Sequence, residues 1–123
     1  QGLKDGFLKA GLEEFFHLPE ATKRSDPSWF GFLITLRDGL AFDRRSLTVE
    51  LEKAGVGTRL LFAGNITRQP AFDSVKHRSM GDLSSTDKVM RDGLWIGVWP
   101  GIDLSRREYM IDTMCDVIRK LNS

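Results

Sequence analysis

The stretch Leu94-Trp95-Ile96-Gly97-Val98-Trp99, which ends at Pro100-Gly101, decides the fold of this 123-residue chain. Its apolar and aromatic residues, followed by a Pro-Gly turn signal, predict a β-strand. Since side chains alternate between the two faces of a strand, both faces are apolar. One face carries Leu94, Ile96 and Val98, and the other carries Trp95 and Trp99. We therefore expect cover on both sides of the sheet, supplied on the tryptophan side by a partner domain or by short helical segments of the chain.

Two other apolar segments extend this strand into a sheet. Trp29 to Leu36 is a strand that is apolar on both faces, and Gly57 to Ala63 is another strand. The connection from Gly64 to Ser85 has no strong periodicity, apart from a short turn of helix expected around Phe72. Connections of this length are usually functional or disordered.

Three segments have the periodicity of amphipathic helices. The first, which Pro19 stops, has an i, i+4 stripe of Leu3, Phe7, Leu8, Leu12, Phe15 and Phe16. The second begins after Asp43, whose carboxylate can accept from free amides of the first turn, and ends at Gly55. The third begins near Leu104, and its stripe is Ile111, Met114, Cys115, Ile118 and Leu121. Because helices and strands are mixed without strict alternation, we predict an α+β fold in a single domain, residues 1–123.

The composition excludes several classes of protein. Hydrophobic residues make up 41% of the chain and charged residues 28%, and the net charge is +1. This balance gives no global attraction to nucleic acid or to a membrane, and no apolar run is long enough to span a bilayer. The one cysteine, Cys115, excludes an intramolecular disulfide and a cysteine-based metal site built from this chain alone. A cytoplasmic location is the resulting expectation.

The segment from Gly57 to Met80 is locally basic, although the whole chain is nearly neutral. Its charged residues are Arg59, Arg68, Lys76 and Arg78 against Asp73. Beside Asn65 and Gln69, these cations suit a phosphate-bearing small ligand. A solvated basic loop is the alternative interpretation.

The chain carries no recognisable catalytic or metal-binding motif. It has no Gly-rich phosphate loop, no dinucleotide fingerprint and no group of a nucleophile, a base and an orienting residue. His17 follows the first apolar stripe, where we expect it to pack. Cys115 lies on the apolar stripe of the last helix, where we expect an inert core residue. We assign no catalytic residue and no metal ligand.

Four stretches taken together resemble a known family. They are SDPSWFGF (Ser25 to Phe32), GTRLLFAGNITRQPAF (Gly57 to Phe72), TDKVM (Thr86 to Met90) and WIGVWPG (Trp95 to Gly101). Their succession resembles the C-terminal region of the CDP-4-keto-6-deoxyglucose 3-dehydrases. These enzymes act in lipopolysaccharide biosynthesis and belong to the wider DegT-type sugar aminotransferase group. The resemblance extends from about Leu12 to Leu121, and the second stretch is its specific part.

The resemblance implies the small C-terminal domain of a fold type I, pyridoxal-phosphate-dependent enzyme, with a small, mainly antiparallel sheet and helices packed on one face. The chain, which begins at Gln1 rather than Met, is then expected to be part of a larger homodimeric enzyme. In that enzyme a separate large domain holds pyridoxamine phosphate and an iron–sulfur cluster that a partner reductase supplies with electrons. The isolated domain is expected to bind neither group and to be inactive, while in the enzyme it helps to close the nucleotide-sugar cleft.

The resemblance also bears on the substrate-binding residues. Phe30 lies where aminotransferases of the group usually carry a histidine, and this difference favours removal of the C3 hydroxyl over amino transfer. Asn65, Arg68 and Gln69 lie where those enzymes carry a His-containing loop near the sugar; Gln69 is shared with that loop and Arg68 is not. Together with Arg59, these five residues are the predicted substrate-binding set.

Two alternative functions stay open at this stage. The first is the C-terminal domain of a DegT-type sugar aminotransferase, which a lysine in place of a histidine in the large domain would indicate. The second is a stand-alone binding module whose basic loop recognises an anionic ligand.

Overall fold

Four strands form one antiparallel sheet in the computed structural model, which describes residues 1–123. They are β1 (Phe16–His17), β2 (Gly31–Leu36), β3 (Thr58–Arg59) and β4 (Gly93–Gly97), and their order across the sheet is β1-β2-β4-β3. In the central pair, Ile34 lies opposite Leu94, whereas Leu33 lies opposite Trp95. Because directly opposed residues share a face, one face of the sheet, the core face, carries Ile34 and Leu94, and the other, the tryptophan face, carries Trp95, as predicted.

Four α-helices accompany the sheet: α1 (Gly2–Lys9), α2 (Arg44–Lys53), α3 (Ser84–Asp92) and α4 (Leu104–Leu121). Short 3-10 helices occupy Leu12–Glu14, Ile66–Arg68 and Pro70–Phe72. The predicted limits of α2 are confirmed, since the Asp43 carboxylate accepts from the Ser46 amide at 2.8 Å and Gly55 has a left-handed φ of +77°. The short turn of helix expected around Phe72 and the start of α4 at Leu104 are also confirmed.

One hydrophobic core of sixteen buried residues lies between the core face of the sheet and α1, α2 and α4. Its largest fully buried side chains are Phe7, Phe16, Ile34, Leu47, Leu51, Leu94, Ile96 and Met114. The remaining helix, α3, contacts β2 and β4 and contributes no buried residue. The predicted α+β fold with an antiparallel sheet is therefore confirmed. No helix combines the length and the apolar composition needed to cross a membrane.

The prediction of a single helix through Phe16 is wrong. Helix α1 stops at Lys9, and Gly11 then takes a left-handed φ of +72° that turns the chain. Phe16 consequently pairs with Leu36 at the edge of the sheet. Of the i, i+4 stripe, Leu3, Phe7, Leu12 and Phe16 are buried as predicted, whereas Leu8 is exposed and Phe15 only partly buried. The stripe does not predict the backbone, because a buried aromatic residue fits either structure.

Two other predicted elements differ from the structure. Only Thr58–Arg59 of the predicted strand Gly57 to Ala63 belongs to the sheet, because Phe62 has a left-handed φ of +40° that carries the chain away. Helix α3 has no counterpart among the predicted elements. Its Ser-Ser-Thr-Asp start, Ser84 to Asp87, is a helix-start signal that the lack of a buried apolar stripe obscures.

His17 and Cys115, both expected to pack in the interior, have different surroundings in the structure. His17 is exposed on the outer face of β1, so the prediction that it packs is wrong; alternation buries its neighbour Phe16 instead. Cys115 packs, partly buried, against the core, and this burial raises the pKa of its thiol. A thiol that stays protonated is a poor nucleophile, as expected for a structural cysteine.

Candidate functional site

An exposed groove lies on the tryptophan face of the sheet. We call it the aromatic groove and define it by Phe30, Arg59, Phe62 and Trp95, which line an open cavity of about 680 Å³. The rings of Phe30 and Phe62 are each 78% exposed, and each has its centroid 5.1 Å from that of Trp95. Large apolar side chains exposed together usually mark a binding surface. The tryptophan face is therefore incompletely covered by the chain itself.

The backbone at two positions holds these rings in place. A Cβ at Gly31 would lie 2.8 Å from the Cε3 atom of Trp95, so only glycine lets the indole lie across β2. Phe62 keeps its left-handed φ although it is not glycine, a conformation that costs free energy and persists only where the surroundings impose it. The indole Nε1 of Trp95 is buried without a hydrogen-bond partner.

Arg59 contributes an unpaired charge to the aromatic groove. It lies opposite Trp95 in the register of β3 and β4, and its exposed side chain makes no ion pair. The nearby carboxylate of Glu52 also lines the cavity, but it accepts from the Thr58 hydroxyl at 2.8 Å and from the Thr58 amide. The Arg59 guanidinium is therefore available to a ligand.

A second group of residues, which we call the Asp87 cluster, consists of Asn65, Arg68 and Asp87. The Asp87 carboxylate, in the first turn of α3, accepts from Arg68 Nε at 2.6 Å and from Arg68 Nη2, and it accepts from Asn65 Nδ2 at 2.7 Å. Asn65 is only 3% exposed, and its Oδ1 accepts from the amide and hydroxyl of Thr67. The amide of Asn65 is thus engaged within the chain, and it holds Asp87 in place.

Gln69 connects the two groups of residues. Its side-chain Nε2 donates to the carbonyl oxygen of Ala63 at 2.7 Å, which closes the loop directly after Phe62. The structure therefore brings Phe30 and Arg59 together in the aromatic groove, places Asn65 and Arg68 in the Asp87 cluster, and uses the Gln69 amide as a brace between them.

In the folded chain the loop is less basic than its own sequence indicates, because an acidic residue from outside the loop pairs with one of its arginines. Arg68 appears as a free cation in the local count, but Asp87, nineteen residues further on, neutralises it. Phe62, Trp95 and Asp87 are site residues that sequence reasoning does not select. Their signals in the sequence are an aromatic residue inside the specific stretch, a tryptophan facing away from the core, and an acidic residue after Ser-Ser-Thr.

Acid unfolding tests the Asp87 cluster. The hydrogen bonds from Arg68, and then from Asn65, lower the pKa of Asp87 to about 2. A lowered folded-state pKa stabilises the fold above the unfolded-state pKa of about 4, and this contribution is lost as the pH falls towards 2. We expect Asp87→Asn to lose less stability than the wild type between about pH 5 and pH 2.5, measured by urea unfolding. Equal losses in both proteins would contradict the cluster. Asp112→Asn, which removes an exposed carboxylate without a hydrogen bond, is the control.

The residues of this chain do not fit an iron–sulfur cluster, and Lys88 does not fit the role of a Schiff-base lysine. No three His, Cys, Asp or Glu side chains are grouped to hold a metal ion, and the one thiol is protonated and packed on the core. An iron–sulfur cluster is held mainly by several cysteine thiolates. Burial disfavours the charge of Lys88, but hydrogen bonds to Asp38 and Asp92 outweigh it and raise the pKa of this amine. A Schiff-base lysine needs the opposite shift.

The fold is that of the aminotransferase-fold enzymes. The structure superposes on Escherichia coli GDP-4-keto-6-deoxy-D-mannose-3-dehydratase with bound hydrated PLP with a TM-score of 0.76 and 17% identity, over 92% of this chain and 29% of that one. Residues 5–115 match the DegT/DnrJ/EryC1/StrS aminotransferase family, and the chain belongs to this family. The predicted membership of the DegT group is confirmed.

Two curated proteins are similar in sequence. The lipopolysaccharide biosynthesis protein RfbH of Salmonella typhimurium is 49% identical over 108 residues, which are 85% of this chain and 25% of that protein. The dTDP-4-dehydro-2,6-dideoxy-D-glucose 3-dehydratase of Saccharopolyspora spinosa is 45% identical over 103 residues, 84% of this chain and 22% of that protein. The chain thus spans about a quarter of the length of these relatives.

Proposed function

We propose that this chain is the C-terminal small domain of a nucleotide-sugar 3-dehydratase that removes the C3 hydroxyl of a 4-keto-6-deoxyhexose during deoxysugar and lipopolysaccharide biosynthesis. The 45% identity to a named 3-dehydratase is the observation that carries the proposal, and the similarity to RfbH points to the same pathway class. The remaining three quarters of the enzyme would contain the large domain. Three nucleotides are candidates: dTDP and GDP, which the relatives' names give, and CDP, which the resemblance implies.

The geometry supports a role in binding the substrate and closing the cleft over it. The aromatic groove and the Asp87 cluster present exposed rings and two guanidinium groups, but no nucleophile or base. Their residues bind and orient the nucleotide sugar, with Phe30, Arg59 and Arg68 facing it and Asn65 and Gln69 holding the loop. Pyridoxamine phosphate and an iron–sulfur cluster in the large domain would supply the chemistry at C3, with electrons from a partner reductase.

Kinetics of the full-length enzyme test this assignment. We expect Arg68→Ala to raise the KM for the nucleotide sugar roughly tenfold or more, because a hydrogen bond to a charged group contributes about 1.5–3 kcal/mol. The melting temperature should fall only slightly, because the Arg68 side chain is 61% exposed and solvent screens its pairing with Asp87. The assay, run with the partner reductase and its electron donor, is mass spectrometry for a net loss of one oxygen atom from the nucleotide 4-keto-6-deoxyhexose. In this reaction the C3 hydroxyl leaves as water, and two electrons and two protons are taken up.

Arg91→Ala is the matched control, because Arg91 is an exposed arginine on α3 that pairs with Asp92 rather than with the loop. A lowered melting temperature with unchanged KM and kcat in Arg68→Ala would show that Arg68 is only a brace. Formation of an amino sugar from glutamate, without loss of water, would instead identify an aminotransferase. We expect the isolated chain to show neither activity.

A further inference from the structure

Arg59 and Arg68 are presented to a ligand in different electrostatic states. No carboxylate pairs with Arg59, whereas Asp87 binds Arg68 through two nitrogens. An unpaired guanidinium attracts an anion at a distance, but the field of an adjacent pair of opposite charges largely cancels. The two arginines therefore suit different parts of one ligand.

The hydrogen bonds of Arg68 leave one end of its guanidinium free. Asp87 occupies the side formed by Nε and Nη2, and Nη1 donates to no group in the chain. Since Nη1 carries two N–H groups, it can still donate to a ligand oxygen. Asp87 itself is fixed by the buried amide of Asn65, so the free end of Arg68 points in a fixed direction.

Resting on the proposed function, we propose that the Asp87 cluster is a subsite for uncharged hexose oxygens, with Asp87 as the positioning residue of Arg68. The nucleoside diphosphate then binds to Arg59 and Phe62 of the aromatic groove. A neutral Arg68–Asp87 pair donates hydrogen bonds to hydroxyl or carbonyl oxygens without favouring a phosphate. The exposed ring of Phe62 can stack on a planar base, since base–aromatic stacking does not depend on a particular base. The unpaired Arg59 beside them complements the charge of the diphosphate.

Binding of matched probes to the full-length enzyme tests this division. CDP, GDP and dTDP are titrated by calorimetry, each alone and as its glucose derivative, and the nucleotide that binds is used for the variants. We expect Arg59→Gln to lower the affinity for the nucleoside diphosphate and for its glucose derivative about tenfold each. Arg68→Gln and Asp87→Asn should change the affinity for the nucleoside diphosphate by no more than about twofold and lower the affinity for its glucose derivative about tenfold. The double variant should lose no more affinity than either single variant.

Asp92→Asn is the matched control, because it removes a paired carboxylate of the same helix that does not contact Arg68, and it should change neither affinity. If Asp87→Asn tightened binding of the nucleoside diphosphate, Arg68 would act as a phosphate ligand and the inference would be wrong. Unchanged affinity for both probes in Asp87→Asn and Arg68→Gln would also overturn it. Should Asp87→Asn fail to fold, Arg68→Gln alone decides between these outcomes. A wild-type enzyme that binds none of the probes would refute the proposed function itself.

Discussion

Replacing Phe7 by alanine should destabilise the chain by about 3–5 kcal/mol, the usual cost of deleting a buried aromatic ring. The Phe7 side chain is 0% exposed, and its ring centroid lies 5.1 Å from that of Phe32 on β2 and 6.3 Å from that of Phe16 on β1. It therefore joins α1 to two strands. A loss of this size is a large part of the roughly 5–15 kcal/mol that stabilises a typical domain.

Urea unfolding followed by tryptophan fluorescence measures the effect of Phe7→Ala. The neighbouring substitution Leu8→Ala is the control, because that side chain is 43% exposed on the same helix. We expect Leu8→Ala to cost less than about 1 kcal/mol, as most surface substitutions do. Similar costs for the two variants would show that α1 is not docked on the sheet as described.

Gly64→Ala should have the second largest effect, about 2–5 kcal/mol. A left-handed conformation costs an alanine about 1–2 kcal/mol, and overpacking adds about 1–3 kcal/mol. Gly64 has a φ of +61°, and an added Cβ would lie 2.8 Å from the Cβ of Met90 on α3. Because the next residue, Asn65, holds Asp87, the substitution should also raise the KM of the full-length enzyme.

Two other glycines separate the causes of this effect. Gly39 has a φ of +79° but no atom within 4 Å of an added Cβ, so Gly39→Ala should show the backbone cost alone. Gly57 has neither a positive φ nor a close neighbour, and Gly57→Ala should be nearly neutral. Chemical denaturation of the three variants gives the comparison. If Gly64→Ala cost no more than Gly39→Ala, close packing of the loop on α3 would be refuted.

The candidate site was only partly predictable. Arg59 is predicted from the basic segment of the sequence, and Phe30 is predicted from the resemblance. The structure places both residues in the aromatic groove. Phe62 is part of the same groove only because an unusual backbone conformation turns it out of the predicted strand. Local propensity does not anticipate such a conformation, since the surrounding structure imposes it.

The sequence by itself determined the α+β class, most of the apolar residues of the core, the limits of α2 and the start of α4. These features depend on periodicity and on capping residues that lie within one or two turns of the chain. Only the tertiary structure decided that Phe16 lies in a strand, that Ser84–Asp92 forms a helix, and that Asp87 neutralises Arg68. The physical reason is that strand pairing, ion pairing and the docking of α3 on β2 and β4 all join residues distant in sequence. Their partners come together only once the chain has folded.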